Sequence, residues 1–271
     1  MSERIRQKFA HLKEQGRAAF VAYMTAGDPD LDTTQALALG LEEMGVDILE
    51  LGVPFSDPVA DGQTNQAAAQ RALESGTTLQ GIFEMARNLR KSSQLPLVLF
   101  TYLNPVYTYG FARFHKDAAE AGIDGVLILD LPPDEACQHE EFAENKTLDR
   151  IRLVAPTTSP KRMAHVVSGA SGFIYYVSRE GVTGEQDVLA EGIASHVEEL
   201  RKWTALPVVV GFGISTPEQS AAVAQIADGV VVGSAIVRRI AENGKDPHCV
   251  EKVLREIRPM VAAAKSVPKK I

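Results

Sequence analysis

Glu50 and Asp61 stand out within residues 47–62, which read Asp-Ile-Leu-Glu-Leu-Gly-Val-Pro-Phe-Ser-Asp-Pro-Val-Ala-Asp-Gly. Glu50 lies inside an apolar, strand-like run, and Asp61 lies in the loop beyond Gly52 and Pro54. Alternation along a strand puts Glu50 on one face with Ile48 and Gly52, and Leu49 and Leu51 on the other. Both faces read as buried, so Glu50 is an acid where an aliphatic side chain is the default. A buried carboxyl needs a cationic partner, a proton or a chemical task. Glu50 reads equally as a structural acid paired inside the protein and as a general acid–base. Asp61 precedes Gly62 and a helical pattern from Thr64, so it reads first as a turn or cap residue. Asp57, before Pro58, reads first as turn chemistry.

The elements that must position these acids recur along the chain. Apolar, β-rich runs at 19–25, 47–53, 97–102, 125–129, 151–155, 173–178, 207–211 and 229–232 predict strands. Helical patterns at 33–44, 79–91, 112–121, 160–168, 193–202 and 217–224 alternate with them. Such alternation means βαβ units and a parallel sheet. Eight units in roughly 250 residues is the size of a (β/α)₈ TIM barrel. Extra helices fit before the first strand, at 3–15, and after the second, at 64–74. A doubly wound open sheet is the alternative, but no G-x-G-x-x-G follows the first strand; the turn there is Thr25-Ala-Gly-Asp-Pro29. No low-complexity stretch divides the chain, so residues 1–271 are expected to form one domain.

Composition narrows the chemistry. A net charge of −7 leaves no basic footprint for nucleic acid or an acidic membrane. Hydrophobic residues at 45% and charged residues at 23% are ordinary for a soluble protein. Cys137 and Cys249 lie far apart and predict reduced thiols rather than a disulfide framework. The six histidines are scattered without a paired ligand motif, so no metal site is expected. No apolar run suggests a signal peptide or a membrane span, and a cytoplasmic location follows as the expectation.

Active sites of such barrels lie at the C-terminal ends of the strands. There the sequence places Glu50, Asp57 and Asp61, then Tyr102 with Asn104-Pro105, then Asp130-Leu-Pro-Pro133. Further on come Tyr175, Arg179, Gly181-Val-Thr-Gly184, Gly211-Phe-Gly213 and Gly233-Ser234. Glycines ending the last two strands leave backbone N–H groups open, and Ser234 starts a helix whose N-terminus attracts anions. Phosphate binding is the functional reading there; tight turns are the plain one. Asp130 reads as a helix-orienting acid or a site residue, and Arg179 as an anion clamp or a solvated loop residue. Tyr175 reads as pocket lining or core, and so do Phe20, Tyr23, Phe100 and Phe212. The Gly-rich connection 178–187 has the length of a lid. Acid–base chemistry on a phosphorylated small molecule is what this set allows.

Taken in order, these motifs resemble the tryptophan synthase α subunit family over residues 9–261. The resemblance rests on Leu49-Glu-Leu-Gly-Val-Pro-Phe-Ser-Asp-Pro58, Ala60-Asp-Gly62, Asn104-Pro105, Asp130-Leu-Pro132, Gly181-Val-Thr-Gly184, Gly211-Phe-Gly-Ile214 and Gly233-Ser-Ala-Ile-Val237. It implies retro-aldol cleavage of indole-3-glycerol phosphate to indole and glyceraldehyde 3-phosphate. By position, Glu50 matches the family's acid–base, and Asp61 matches the acceptor of the indole N–H. Gly184, Gly213, Gly233 and Ser234 match the phosphate site. Phe20, Phe100, Tyr175 and Phe212 match the surround of the indole and its carbon chain. Thr183 would reach Asp61 on lid closure, and Tyr102 would steady a carboxylate. The resemblance further implies an αββα complex with a β subunit that carries pyridoxal phosphate, while this chain carries no cofactor. Asp57, Pro58, Asn104 and Pro132 match the rim that meets that subunit. Gln63 departs from the proline often found there. Other readings are a stand-alone lyase releasing free indole, a non-catalytic activator of a β subunit, and a different phosphosugar barrel.

Overall fold

A computed structural model describes residues 2–140, 148–177, 186–211 and 213–269, with the backbone alone at 137–140 and 186–191. Helix α1 (Glu3–Glu14) precedes β1 (Ala19–Thr25), followed by α2 (Leu31–Met44) and β2 (Ile48–Gly52). Two helices, α3 (Gln63–Glu74) and α4 (Leu79–Leu89), lead to β3 (Leu97–Thr101). Two more, α5 (Leu103–Tyr109) and α6 (Phe111–Glu120), lead to β4 (Gly125–Ile128) and α7 (Pro133–Glu140). The second half contains β5 (Asp149–Arg150), β6 (Arg152–Val154), α8 (Pro160–Ser168), β7 (Ile174–Val177) and α9 (Gln186–Arg201). It ends with β8 (Val208–Gly211), α10 (Pro217–Ile226), β9 (Gly229–Val232), α11 (Ser234–Asn243) and α12 (Cys249–Ser266).

All strands pair in parallel, in the order β5-β4-β3-β2-β1-β9-β8-β7-β6. The two ends of that order are consecutive in the chain. β5 pairs with β4, β6 pairs with β7, and Ile151 alone separates β5 from β6. Ile151 N–H donates to the Val126 carbonyl at 3.0 Å, and Ser171 N–H donates to the Arg150 carbonyl at 2.9 Å. The expected fifth strand is therefore present but divided: its first residues follow one neighbour and its last follow the other. The result is the expected (β/α)₈ barrel, closed where the strand changes partner. The additional helices α1 and α3 are also where the sequence places them.

Alternation sorts the strand residues into two cores. Ala19, Val21, Tyr23, Ile48, Val98, Leu127, Ile151, Phe173, Val209 and Val231 fill the barrel interior. Phe20, Ala22, Met24, Leu49, Leu51, Leu97 and Leu99 pack outward against the helices. Every residue of β1 and of β2 is buried, because both faces meet protein. Ile5, Phe9 and Leu12 of α1 join the interior cluster, and the Phe9 and Phe173 rings lie 5.9 Å apart. The N-terminal end of the barrel is thus filled by a helix rather than left open.

Helix boundaries follow from local chemistry. Asp30 caps α2 by accepting Thr33 N–H at 2.7 Å, and Gly45, at φ 99, ends it in the left-handed region. Thr216 and Gln219 form a capping box at the start of α10. Asp28, in the β1–α2 turn, takes the Arg71 guanidinium in a two-point ion pair at 2.8 and 2.7 Å. That pair ties α3 to the C-terminal end of β1, and α3 begins directly after the Asp61 loop.

Candidate active site

Glu50 sits mid-strand in β2 on the barrel's inner face, opposite Tyr23 in the β1 register. Its exposure is 0%, and neither Oε1 nor Oε2 has a hydrogen-bond partner among the described residues. No ion pair among them reaches it either, so a structural acid held by a cation is not what they show. Burial pushes its carboxyl up to about 8. A group in that state holds its proton at neutral pH and stands ready to give it up.

Asp61 is placed by a short loop. Its N–H donates to the Pro58 carbonyl at 3.0 Å, and Gln66 Nε2 donates to the Asp61 carbonyl at 2.8 Å. The Tyr102 hydroxyl donates to Asp61 Oδ2 at 2.9 Å, and Asn65 Nδ2 approaches Oδ1 at 3.5 Å. Burial raises the Asp61 carboxyl above its ordinary value, while the bonds from Tyr102 and Asn65 pull it down. Tyr102 is buried, accepts Ala60 N–H at 3.0 Å and stacks a tilted ring 5.4 Å from Phe55. It occupies the residue before α5, a short helix that holds Asn104-Pro105. Asp130 is the supporting acid it resembles: its Oδ1 accepts Leu103 N–H at 2.6 Å and sets the first turn of α5.

Aromatic rings face the same end of the barrel. Phe100 meets Tyr23 edge-on at 5.3 Å and Tyr175 at 6.4 Å. Two glycines make room for the phenols. A Cβ on Gly52 would fall 2.3 Å from the Tyr23 hydroxyl, and one on Gly211 would fall 2.4 Å from that of Tyr175. Burial raises both phenols above their ordinary values. Phe20 requires correction. It lies three residues from Tyr23, hence on the opposite strand face, fully buried in the outer core beneath the helices. The place at the mouth assigned to Phe20 belongs to Tyr23. No signal in the sequence marks which residues of β1 look inward, because the whole strand is buried.

Gly233 precedes α11, and Ser234 opens that helix on the exposed side. Ile236 and Val237 N–H groups return to the Gly233 carbonyl, which leaves the earlier N–H groups of the turn free for an anion. Gly213, at φ 72, lies beyond the end of β8. Gly233 also borders Tyr23: a Cβ there would sit 3.3 Å from Tyr23 Cδ1. The anion-attracting turn and the Glu50 strand therefore converge on one tyrosine. Thr183, Gly184 and Phe212 lie outside the described residues, as do Arg179 and Gly181. Asp57, Asn104 and Pro132 are exposed and Pro58 is half-buried, so they can form a rim. Val59, 77% exposed, and Tyr107, 71% exposed, add apolar surface beside them that the motifs did not reveal. Among the described residues no group of three potential metal-ligating side chains occurs, and no helix is long and apolar enough to cross a membrane.

Known proteins share this arrangement. The family model for the tryptophan synthase alpha chain matches residues 9–265. The tryptophan synthase alpha chain of Geobacter sp. strain M21 is 54% identical over 235 residues, covering 87% of this chain and 88% of its own. That of Opitutus terrae is 50% identical over 254 residues, covering 94% and 96%. A crystal structure of tryptophan synthase subunit alpha from Legionella pneumophila superposes with a TM-score of 0.90 at 36% identity, covering 98% of this chain and 100% of its own.

Proposed function

The chain belongs to the tryptophan synthase alpha chain family, and from that premise we propose how its residues divide the reaction. It is a carbon–carbon lyase of tryptophan biosynthesis that cleaves indole-3-glycerol phosphate to indole and glyceraldehyde 3-phosphate. Indole leaves poorly until C3 of its ring carries a proton. Once protonated, the ring can accept the electrons of the breaking carbon–carbon bond, while the adjacent chain hydroxyl passes its proton to a carboxylate of the site and becomes the aldehyde. Glu50 supplies the C3 proton, and Asp61 accepts the indole N–H and stabilises the charge that develops at the nitrogen. The observation that carries this assignment is Glu50 itself, a fully buried carboxyl on the inner wall without a partner among the described residues. A positioned acid or base is typically worth about 10²–10⁴-fold in rate.

Around these two acids the other roles follow by position. Gly184, Gly213, Gly233 and Ser234 hold the phosphate; Phe100, Tyr175 and Phe212 flank the ring and chain. Thr183 closes onto Asp61 with the lid and excludes water. Residues 1–271 act as one barrel domain in the cytoplasm without a cofactor of their own. They work in an αββα complex whose β subunit carries pyridoxal phosphate and receives indole at the rim of Asp57, Pro58, Asn104 and Pro132. The deciding experiment supplies indole-3-glycerol phosphate and assays indole with and without a β subunit. Indole release that rises on adding the partner is expected. No indole under either condition would overturn the lyase, and equal rates in both would overturn the dependence on a partner.

A further inference from the structure

Tyr23 lies where the parts of the mouth meet. Register sets it opposite Glu50. Its ring runs past Gly233, and its hydroxyl stands over Gly52, at contacts an added Cβ would violate at 3.3 and 2.3 Å. The side chain thus spans from the turn that opens α11 to the end of the strand that carries Glu50. Tyr23 is only 7% exposed. Even so, the Thr25 side chain is the only hydrogen-bonding neighbour of its hydroxyl among the described residues, which leaves part of the phenol's donor and acceptor capacity unused. Thr25 lies two residues along on the same face, and its contact lowers the phenol's hold on its proton. Asp61 is already taken by Tyr102, and neither oxygen of Glu50 is engaged.

We propose that the Tyr23 hydroxyl binds the hydroxylated carbon chain of the substrate, between the phosphate and the ring. The assignment rests on the lyase reading and deepens it. A phosphate at Gly233 and a ring proton exchanged at Glu50 leave the polyol segment beside this phenol. Hydroxyls stripped of water at that depth need partners, and a phenol both donates and accepts. A polar group built for a substrate hydroxyl selects for ligands that carry one. Gly52 is part of the device, since any larger residue would expel the phenol from its position.

The test compares Tyr23→Phe with the wild type. It uses indole-3-glycerol phosphate as substrate and indole-3-propanol phosphate, which lacks the chain hydroxyls, as a binding probe. Loss of one neutral hydrogen bond should lower kcat/KM by about fivefold and leave the Kd of the propanol phosphate within about twofold. An equal loss for both ligands would reduce Tyr23 to a packing ring, and an unchanged kcat/KM would remove its contact with the chain. Gly52→Ala, read the same way, should reproduce the selective loss if Tyr23→Phe does not fold; a uniform loss there would overturn the proposal. A wild type that never cleaves indole-3-glycerol phosphate is a separate outcome and strikes the lyase reading itself.

Discussion

The Tyr102 hydroxyl donates to Asp61 Oδ2 at 2.9 Å while it accepts Ala60 N–H at 3.0 Å. One buried phenol therefore fixes both the carboxylate and the loop backbone just before it. Removing it frees Asp61 to swing and leaves Ala60 N–H without its acceptor. Tyr102→Phe should lower kcat by about tenfold, on the scale of one charge-assisted hydrogen bond. Asp61→Asn should fall further, because the amide cannot balance charge on the indole nitrogen. Steady-state kinetics on both variants checks this, and a silent Asp61→Asn would leave Asp61 as a loop cap only.

Glu50→Gln keeps the size of the buried side chain and removes its transferable proton. Cleavage should drop by about 10²-fold or more, the usual range for a lost general acid. Substrate affinity should remain, since neither Glu50 oxygen bonds a protein group that the amide would disturb. Calorimetric binding alongside single-turnover assays separates the two effects. Near-normal turnover would end the acid–base role of Glu50.

The raised Glu50 carboxyl also sets a pH signature. The protonated form is the donor, so kcat/KM should decline as pH climbs through about 8. Stability has the same direction. The unfolded chain releases this proton near 4.5 and the folded chain near about 8, so stability falls as pH rises between them and levels off above. The slope attributable to Glu50 is at most ~1.4 kcal/mol per pH unit. Denaturant titrations across that window should show a shallower decline for Glu50→Gln than for the wild type. Parallel curves would mean that Glu50 is ionised in the folded protein.

Ser234 sits in the exposed first turn of α11, where the helix dipole favours anions. Ser234→Asp places a fixed negative charge in that turn. KM should rise by about tenfold or more with a smaller change in kcat, because like charges repel the phosphate before chemistry begins. An unchanged KM would move the anion elsewhere in the mouth.

Gln63 is the first residue of α3, and Gly62 before it is extended at ψ 162. Proline fits a first helical position and tolerates such a predecessor. Gln63→Pro should therefore raise stability by ~0.4–1 kcal/mol by restricting the unfolded chain. Thermal melts report it, and a lowered midpoint would show that the junction needs its N–H.

The second strand was legible because a charge interrupts an otherwise apolar run, and burial leaves few explanations for it. The strand-to-helix turn that would attract an anion was legible because Gly233-Ser234 joins β9 to α11. Phe20 and Tyr23 could not be told apart by the same means. β1 is buried on both faces, so hydrophobicity does not mark which residues look inward; only register against Glu50 does. The fifth strand was misplaced in its detail because its partner changes at Ile151, a long-range event with no local signature. Helix α5 was not among the expected helices; its first turn accepts Pro105, and what helps to start it is Asp130, distant in sequence, which accepts Leu103 N–H.

Helix α1 stoppers the far end of the barrel with Ile5, Phe9 and Leu12. Among the described residues that end is packed with apolar side chains, while Tyr23, Phe100 and Tyr175 gather at the other, so traffic to and from Glu50 is expected at the aromatic end. A companion protein seated over that end would govern the traffic, which would make the lip that greets it matter to throughput alongside the acids within.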